Sequence, residues 1–247
     1  MNEDLTRPPT HPVHDVRWNA AMTIAWTALI ILVWQGLIAL WVSSRAKAAG
    51  IVPDTADWMA NAALAGDLMK AVAVGGVMCV LMIVAVIRLK KGSQLSLYLP
   101  FKKVAPLEFF KWLGLSLLVV LLVGNVFQYF GFEESKSMDG VMSQMRALPL
   151  MYVSVVLVAP IAEELLFRGF VISGLERLKL PDSPSLAVGI SAFLWAMLHL
   201  QYHAHEMFQI FLLGVVLGFA RLKTRSLVTP VVIHVVNNLA ALLIVIM

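Results

Sequence analysis

Two adjacent carboxylates and a guanidinium stand inside a long apolar run. The stretch is Ala159-Pro160-Ile161-Ala162-Glu163-Glu164-Leu165-Leu166-Phe167-Arg168, within an apolar segment from Met151 to about Ile172. At membrane depth each ionisable side chain costs on the order of 2.5–3.5 kcal/mol on insertion scales, so such groups are retained for a use. On a helix Glu164 and Arg168 are four apart, share a face and can pair. Glu163 points about 100° away and finds no such partner in its own helix. One acid is neutralised and the other is left over. Pro160 removes a backbone hydrogen bond just before both acids, so a kink or local widening is expected there.

Two further apolar segments carry polar groups that a lipid-facing helix does not need. One holds Trp195-Ala-Met-Leu-His199, with His203 beyond it; the other holds His234-Val-Val-Asn237-Asn238. His234 and Asn238 are four apart and share a face, whereas Asn237 is rotated about 100° from Asn238 and could instead orient a neighbour. Three segments that each supply such groups point to one shared catalytic or binding site. Amide hydrolysis in such a place needs a base to activate water, a group to hold that water and donors for the tetrahedral oxyanion. A carboxylate in an apolar cavity is a stronger base than one in water.

The same residues also allow a metal. Glu163, His199 and His234 could form a His₂Glu zinc set with water in the fourth position, and His203 and His205 are further candidate nitrogens. Against zinc, Asn238 is a poor ligand for it. The helix with two histidines and an interposed glutamate is also missing, because His205-Glu206 is followed by Met207, Phe208 and Gln209. A metal-independent glutamate mechanism, with no cofactor, is the expectation.

The elements that must position these groups are helices in a membrane. The 247 residues are 60% hydrophobic and only 14% charged, with mean hydropathy +0.84, well beyond the usual balance of soluble domains. The expected fold is an all-α polytopic transmembrane bundle of about seven spans, six to eight, with short interfacial helices. The spans are read at about 18–42, 68–87, 112–130, 150–172, 185–200, 208–220 and 227–247, the sixth of them short. Residues 1–16, polar and rich in proline, read as a disordered cytoplasmic tail, and residues 17–247 as one domain. The first apolar stretch is too long for a signal sequence and has no small-residue cleavage site after it.

Between the spans, Pro53-Asp54-Thr55 reads as a helix start. The segment 93–111, with Pro100, Pro106 and several lysines, reads as an interfacial loop, and Met138, Val141, Met142 and Met145 follow the spacing of an amphipathic surface helix. Gly214 and Gly218 form a small-xxx-small pair that permits close helix contact. The lone cysteine, Cys79, excludes a disulfide framework. Net charge +4 does not imply nucleic acid here, because the basic residues flank apolar spans and mark cytoplasmic loops. The basic loops 88–111, 177–179 and 221–225 alternate with acidic or neutral ones. The N-terminus is therefore expected in the cytoplasm and the C-terminus outside, in the bacterial inner membrane.

Taken in order, Glu163-Glu164-x-x-x-Arg168, an aromatic-x-x-x-His199 and His234-x-x-x-Asn238 resemble the three motifs of the CPBP intramembrane proteases. That family includes CAAX prenyl endopeptidases and bacteriocin-processing or self-immunity proteins. The resemblance covers about Leu150 to Ile244, and Trp195 stands where the family usually has phenylalanine, a change expected to pack similarly. It implies that Glu163 is the general base, that His199 positions the water, and that His234 and Asn238 face the oxyanion. Glu164, itself within the catalytic motif, would be held by Arg168 in a structural ion pair. The implied partners are the lipid bilayer and a membrane-associated peptide or protein, such as a prenylated tail, a leader peptide or a membrane segment. The residues indicate no oligomeric state. Other functions using the same residue types are a transporter or proton relay, though no paired halves with matching broken spans are present. A non-catalytic scaffold or immunity protein is a third. No Gly-x-Ser-x-Gly elbow occurs.

His199 and His234 lie at unequal depths if counted from the cytoplasmic ends of their spans, by roughly 10 Å. The offset calls for a fifth helix that starts well below the membrane surface, or one that tilts or bends at Gly189.

Overall fold

Lipid offers no partners for backbone N–H and C=O groups, so an apolar chain of this kind must satisfy them within helices. The computed structural model describes residues 16–50, 62–133 and 149–246, and among these every regular element is a helix. They are α1 (Ala20–Ala48), α2 (Ala62–Leu89), the short α3 (Leu95–Tyr98), α4 (Pro106–Tyr129), α5 (Pro149–Leu175), α6 (Ser183–Ala196), α7 (Ala204–Thr224) and α8 (Val228–Ile246). Stretches within α1, α2, α4, α5 and α7 are long and apolar enough to cross a membrane, while α6 and α8 are shorter apolar helices. The chain is an integral membrane protein built as a helical bundle. The tail at 1–15, the Pro53-Asp54-Thr55 start and the Met138–Met145 stretch lie outside the described residues.

Local chemistry sets the helix ends, and it moves three of them from where the apolar runs end. α4 begins at Pro106, six residues before Trp112, because proline suits a first turn and Glu108 complements the helix dipole there. Part of the expected loop 93–111 is therefore helical. α7 begins at Ala204, ahead of the apolar run, because His203 and Glu206 cap it reciprocally; the Glu206 carboxylate accepts from the His203 N–H at 2.8 Å. The sixth span is thus a full-length helix of 21 residues. α6 stops early, at Ala196, and leaves His199 in the turn beyond it.

α5 is the centre of the bundle. Half of its most apolar stretch is buried, against 6% for α4 at the periphery. Phe167, Phe170, Leu166 and Ile172 of α5 pack in one core with Ile83 and Ile87 of α2 and with Val188 and Trp195 of α6. The helix is not uniform. Wide π-type turns run over Tyr152–Val158 and Leu165–Val171 and flank a regular α segment, Ala159–Glu164, with Pro160 in its first turn. The local widening expected from Pro160 is present. Each wide turn lends a carbonyl to a neighbouring helix: Val155 to the Asn238 amide at 2.9 Å, and Phe167 to the Ser191 hydroxyl at 2.9 Å.

The basic loops converge at one end of the bundle. Glu176 accepts from Arg17 at 2.6 Å and from Arg221 at 3.4 Å, while Arg177 donates to the backbone carbonyls of Arg17 and Trp18. Lys90 lies over the Trp18 ring. Ser226 bridges to the backbone of Lys102 and Leu227 donates to the Pro100 carbonyl, so the 100–102 segment joins the same end. Tyr98, fully buried here, has its phenol pushed up from the ordinary value, chiefly by burial.

The unequal depths of the two histidines are absorbed without a bend at Gly189, through which α6 runs unbroken. α8 instead starts inside the bundle, where Ser226 and Leu227 are fully buried. Ser183, at the start of α6, donates to the Glu176 carbonyl just past the end of α5, so these two helices begin their antiparallel run together. Trp195 lies twelve residues from that shared end, about 18 Å along the α6 axis, and comes level with Glu163, twelve residues from the end of α5.

Close contact of α6 and α7 depends on Gly214 and Gly218. A Cβ on Gly218 would stand 2.7 Å from a Val188 methyl carbon, and one on Gly214 would meet Ala192 and Trp195 at 3.0 Å. Gly218→Val is expected to cost about 1–3 kcal/mol through overpacking and to lower the unfolding temperature in detergent. Gly189→Ala, where a Cβ meets open space, should be neutral or stabilising. Thermal scans of the two variants beside wild type check the contrast.

Candidate functional site

The two adjacent acids have opposite environments. Glu164 is fully buried, and its Oε1 accepts from Arg168 at 2.9 Å, both side chains being 0% exposed. The i,i+4 pair expected from the sequence is therefore formed. The same Oε1 lies 2.9 Å from His234 Nδ1. A carboxylate already accepting from a guanidinium accepts here too, which puts the Nδ1 proton on His234. Arg168 makes two further contacts: its second terminal nitrogen donates to the Gly214 carbonyl at 3.2 Å, and its guanidinium carbon lies 4.3 Å from the centre of the Trp195 ring.

Glu163 sits 15% exposed at the end of the α segment, without a cation in its own helix. Its Oε2 accepts the indole N–H of Trp195 at 2.6 Å and stands 3.9 Å from His234 Nε2. That second separation is too long for a hydrogen bond. A water oxygen at ordinary hydrogen-bond range, about 2.8 Å, can reach both groups at once. His234 thus spans the two acids, with one nitrogen on Glu164 and the other directed at Glu163.

Trp195 is the meeting point of the site. Its ring centre is 5.1 Å from that of His234 and 5.4 Å from that of His199, both edge-on, with Arg168 over its face. His199 lies just past the end of α6, and its Nδ1 is 3.0 Å from the Trp195 carbonyl. Among the described residues no hydrogen bond or ion pair joins His199 to either acid. The indole separates them.

The remaining sequence candidates divide. Asn238 shares the face of His234 as expected, but one of its amide hydrogens holds the Val155 carbonyl in the first wide turn of α5. Asn237 is buried, and its amide nitrogen has no partner among the described residues, so the orienting hydrogen bond considered for it is not made from that nitrogen. His203 caps α7, and His205 packs on Phe127 and Phe132, so both are engaged at the N-terminal end of α7. Among the described residues no three His, Cys, Asp or Glu side chains are grouped to hold a metal ion.

The residue that the sequence undervalued is Trp195. Treated as an aromatic spacer, it was expected to pack like phenylalanine, yet its N–H bonds Glu163. The signal was present in the residue type, since tryptophan is the one aromatic apolar enough for this position that carries an N–H donor. What the sequence lacked was any indication that this donor points at α5.

Removing one partner of a buried ion pair leaves an uncompensated charge, at a cost of roughly 3–5 kcal/mol. Arg168→Ala is therefore expected to reduce yield and thermal stability in detergent, whereas Glu163→Gln, which keeps size and can still accept from Trp195, should fold normally. Equal melting of the two variants would show that the pair carries no stability.

The site also has a counterpart among known proteins. No curated protein and no solved structure matches the chain. Residues 145–240, which hold all three motifs, match the family model Rce1-like, described as type II CAAX prenyl endopeptidase Rce1-like, and this is the CPBP and CAAX protease family that the motifs resemble.

Proposed function

We propose that this protein is an intramembrane endopeptidase that cleaves a peptide bond of a membrane-associated substrate through a water activated by Glu163. The observation that carries the reading is the separation of two neighbouring acids into one fully neutralised and one held only by a neutral donor. The family match over residues 145–240 supports a peptidase.

In this reading Glu163 takes a proton from water while the water oxygen attacks the scissile carbonyl carbon. The family resemblance assigns the positioning of that water to His199, while in this structure His234 Nε2 is the ring nitrogen that faces Glu163, at 3.9 Å. The tetrahedral oxyanion forms beside His234 and Asn238: the Asn238 amide donates to it, and His234, whose Nδ1–H is on Glu164, does so from Nε2 when both ring nitrogens carry a proton. Asn238 contributes the amide hydrogen that Val155 does not use. Glu163 then passes its proton to the leaving nitrogen as the C–N bond breaks. Charge balance favours this cycle. Glu164 and Arg168 cancel, and as Glu163 takes the proton from water its negative charge passes to the oxyanion, so no net charge is created in the site. No metal takes part in these steps.

The substrate would reach the site from the bilayer, and the convergence of basic loops at one bundle end supports placing that end in the cytoplasm. With an odd number of crossings the N-terminus is then cytoplasmic and the C-terminus outside, in a bacterial inner membrane.

Glu163→Gln should lower hydrolysis of a membrane-peptide library by at least about 10²-fold in equally well-folded protein. Comparable rates would remove Glu163 as the base. His234→Ala and Asn238→Ala should each slow a single turnover while substrate capture stays largely intact, because their contacts strengthen only in the transition state. Exhaustive chelation should leave wild-type activity unchanged; activity lost on chelation and restored by Zn²⁺ would overturn the metal-free mechanism.

A further inference from the structure

We propose that Trp195 is a positioning residue of this site, and that its indole N–H, rather than its aromatic bulk, fixes the rotamer of Glu163. This rests on the reading of Glu163 as the general base.

Three observations carry it. First, the contact is short and well placed: the indole nitrogen donates to Glu163 Oε2 at 2.6 Å, at the short end for a charge-assisted hydrogen bond. Second, the donor cannot drift. The indole is 2% exposed, with Arg168 over its face and His199 and His234 edge-on against its ring. Gly214 brings α7 close to the ring edge, where a Cβ would meet Cε3 at 3.0 Å. Third, Glu163 has little else to hold it. It is partly exposed, His234 Nε2 stands 3.9 Å from its Oε2, and no lysine or arginine pairs with it among the described residues.

The consequence is geometric. With the indole N–H on one lone pair of Oε2, the Glu163 carboxylate is held in one rotamer, and its remaining lone pairs are left to take a proton from water. Arg168 thereby serves both acids: it pairs with Glu164 directly and steadies, through the face of Trp195, the donor that holds Glu163. A guanidinium over an indole draws electron density from the ring and strengthens its N–H as a donor. The phenylalanine usual at this motif position fills much of the same space and keeps the Arg168 contact, yet has no donor. In this chain the position therefore does more than pack.

Two measurements test the proposal. The first needs no activity: protein in detergent micelles is labelled with ¹⁵N at the indole nitrogens, and the Trp195 signal is assigned by its loss in Trp195→Phe. That signal should lie downfield of the other indoles and move upfield in Glu163→Ala. A position unchanged by Glu163→Ala would overturn the hydrogen bond. The second is steady-state hydrolysis by wild type, Trp195→Phe and protein carrying 3-benzothienylalanine at position 195, an isostere with sulfur in place of N–H. Both replacements are expected to lower kcat about tenfold with KM within twofold of wild type, and to melt near wild type. Full activity in the isostere would overturn the role of the N–H, and a loss in Trp195→Phe that the isostere restores would assign the position to packing alone. If wild type cleaves no peptide, the peptidase reading fails and the resonance shift by itself decides whether Trp195 holds Glu163.

Discussion

Everything in this bundle is arranged around a charge that cannot be left alone. Arg168 and Glu164 are both completely removed from solvent, and neither could stay ionised there without the other. Their pairing sits on the helix that α1, α2, α3, α6, α7 and α8 all touch, so the α5 register is pinned by electrostatics as well as by packing. His234 enters the same pair from α8 and Gly214 offers its carbonyl from α7. Three helices are thereby fixed relative to one another by one guanidinium–carboxylate contact. A purely apolar core would fill the same volume with less directional preference; the ion pair specifies which faces meet.

The irregularity of α5 follows from the demands on it. A uniform α-helix keeps all its carbonyls within itself and offers nothing to its neighbours. The two wide turns loosen that self-sufficiency on either side of the acids, and Asn238 and Ser191 take up the carbonyls of Val155 and Phe167. Polar side chains that would be costly in lipid thus become cross-links between helices. The short α segment between the turns holds Glu163 and Glu164 at a fixed rotation from each other, so that one faces the guanidinium and the other faces the indole.

At the basic end of the bundle a second polar network does a different job. Glu176, Arg17, Arg221 and Arg177 tie the entry of α1 to the end of α5 and the end of α7. Arg17, Arg177 and Glu176 are partly exposed, so the two arginines can bury their stems and keep their charges near water, whereas Arg221 is buried against Glu176 and Ser173. The network closes one end of the bundle, while the site sits about 18 Å further in. Stability at the end and chemistry in the middle are therefore built from separate sets of charges.

The sequence by itself determined the class of fold, because an apolar chain of this composition has no alternative to membrane helices. It also determined the Glu164–Arg168 pair and the leftover Glu163, since spacing along one helix fixes which faces residues share. The contact of Gly214 and Gly218 with a neighbouring helix was legible for the same reason. Contacts between helices were not. That His234 bonds Glu164, that Asn238 holds Val155 and that the Trp195 N–H reaches Glu163 depend on how each helix is rotated and how deep it starts. Neither is encoded in periodicity. The end of α6 at Ala196 and the early start of α7 were hidden too, because a capping pair such as His203 and Glu206 overrides where the apolar run stops. Tertiary structure alone decided that the indole stands between the histidines, because only the packed bundle brings α5 and α6 level.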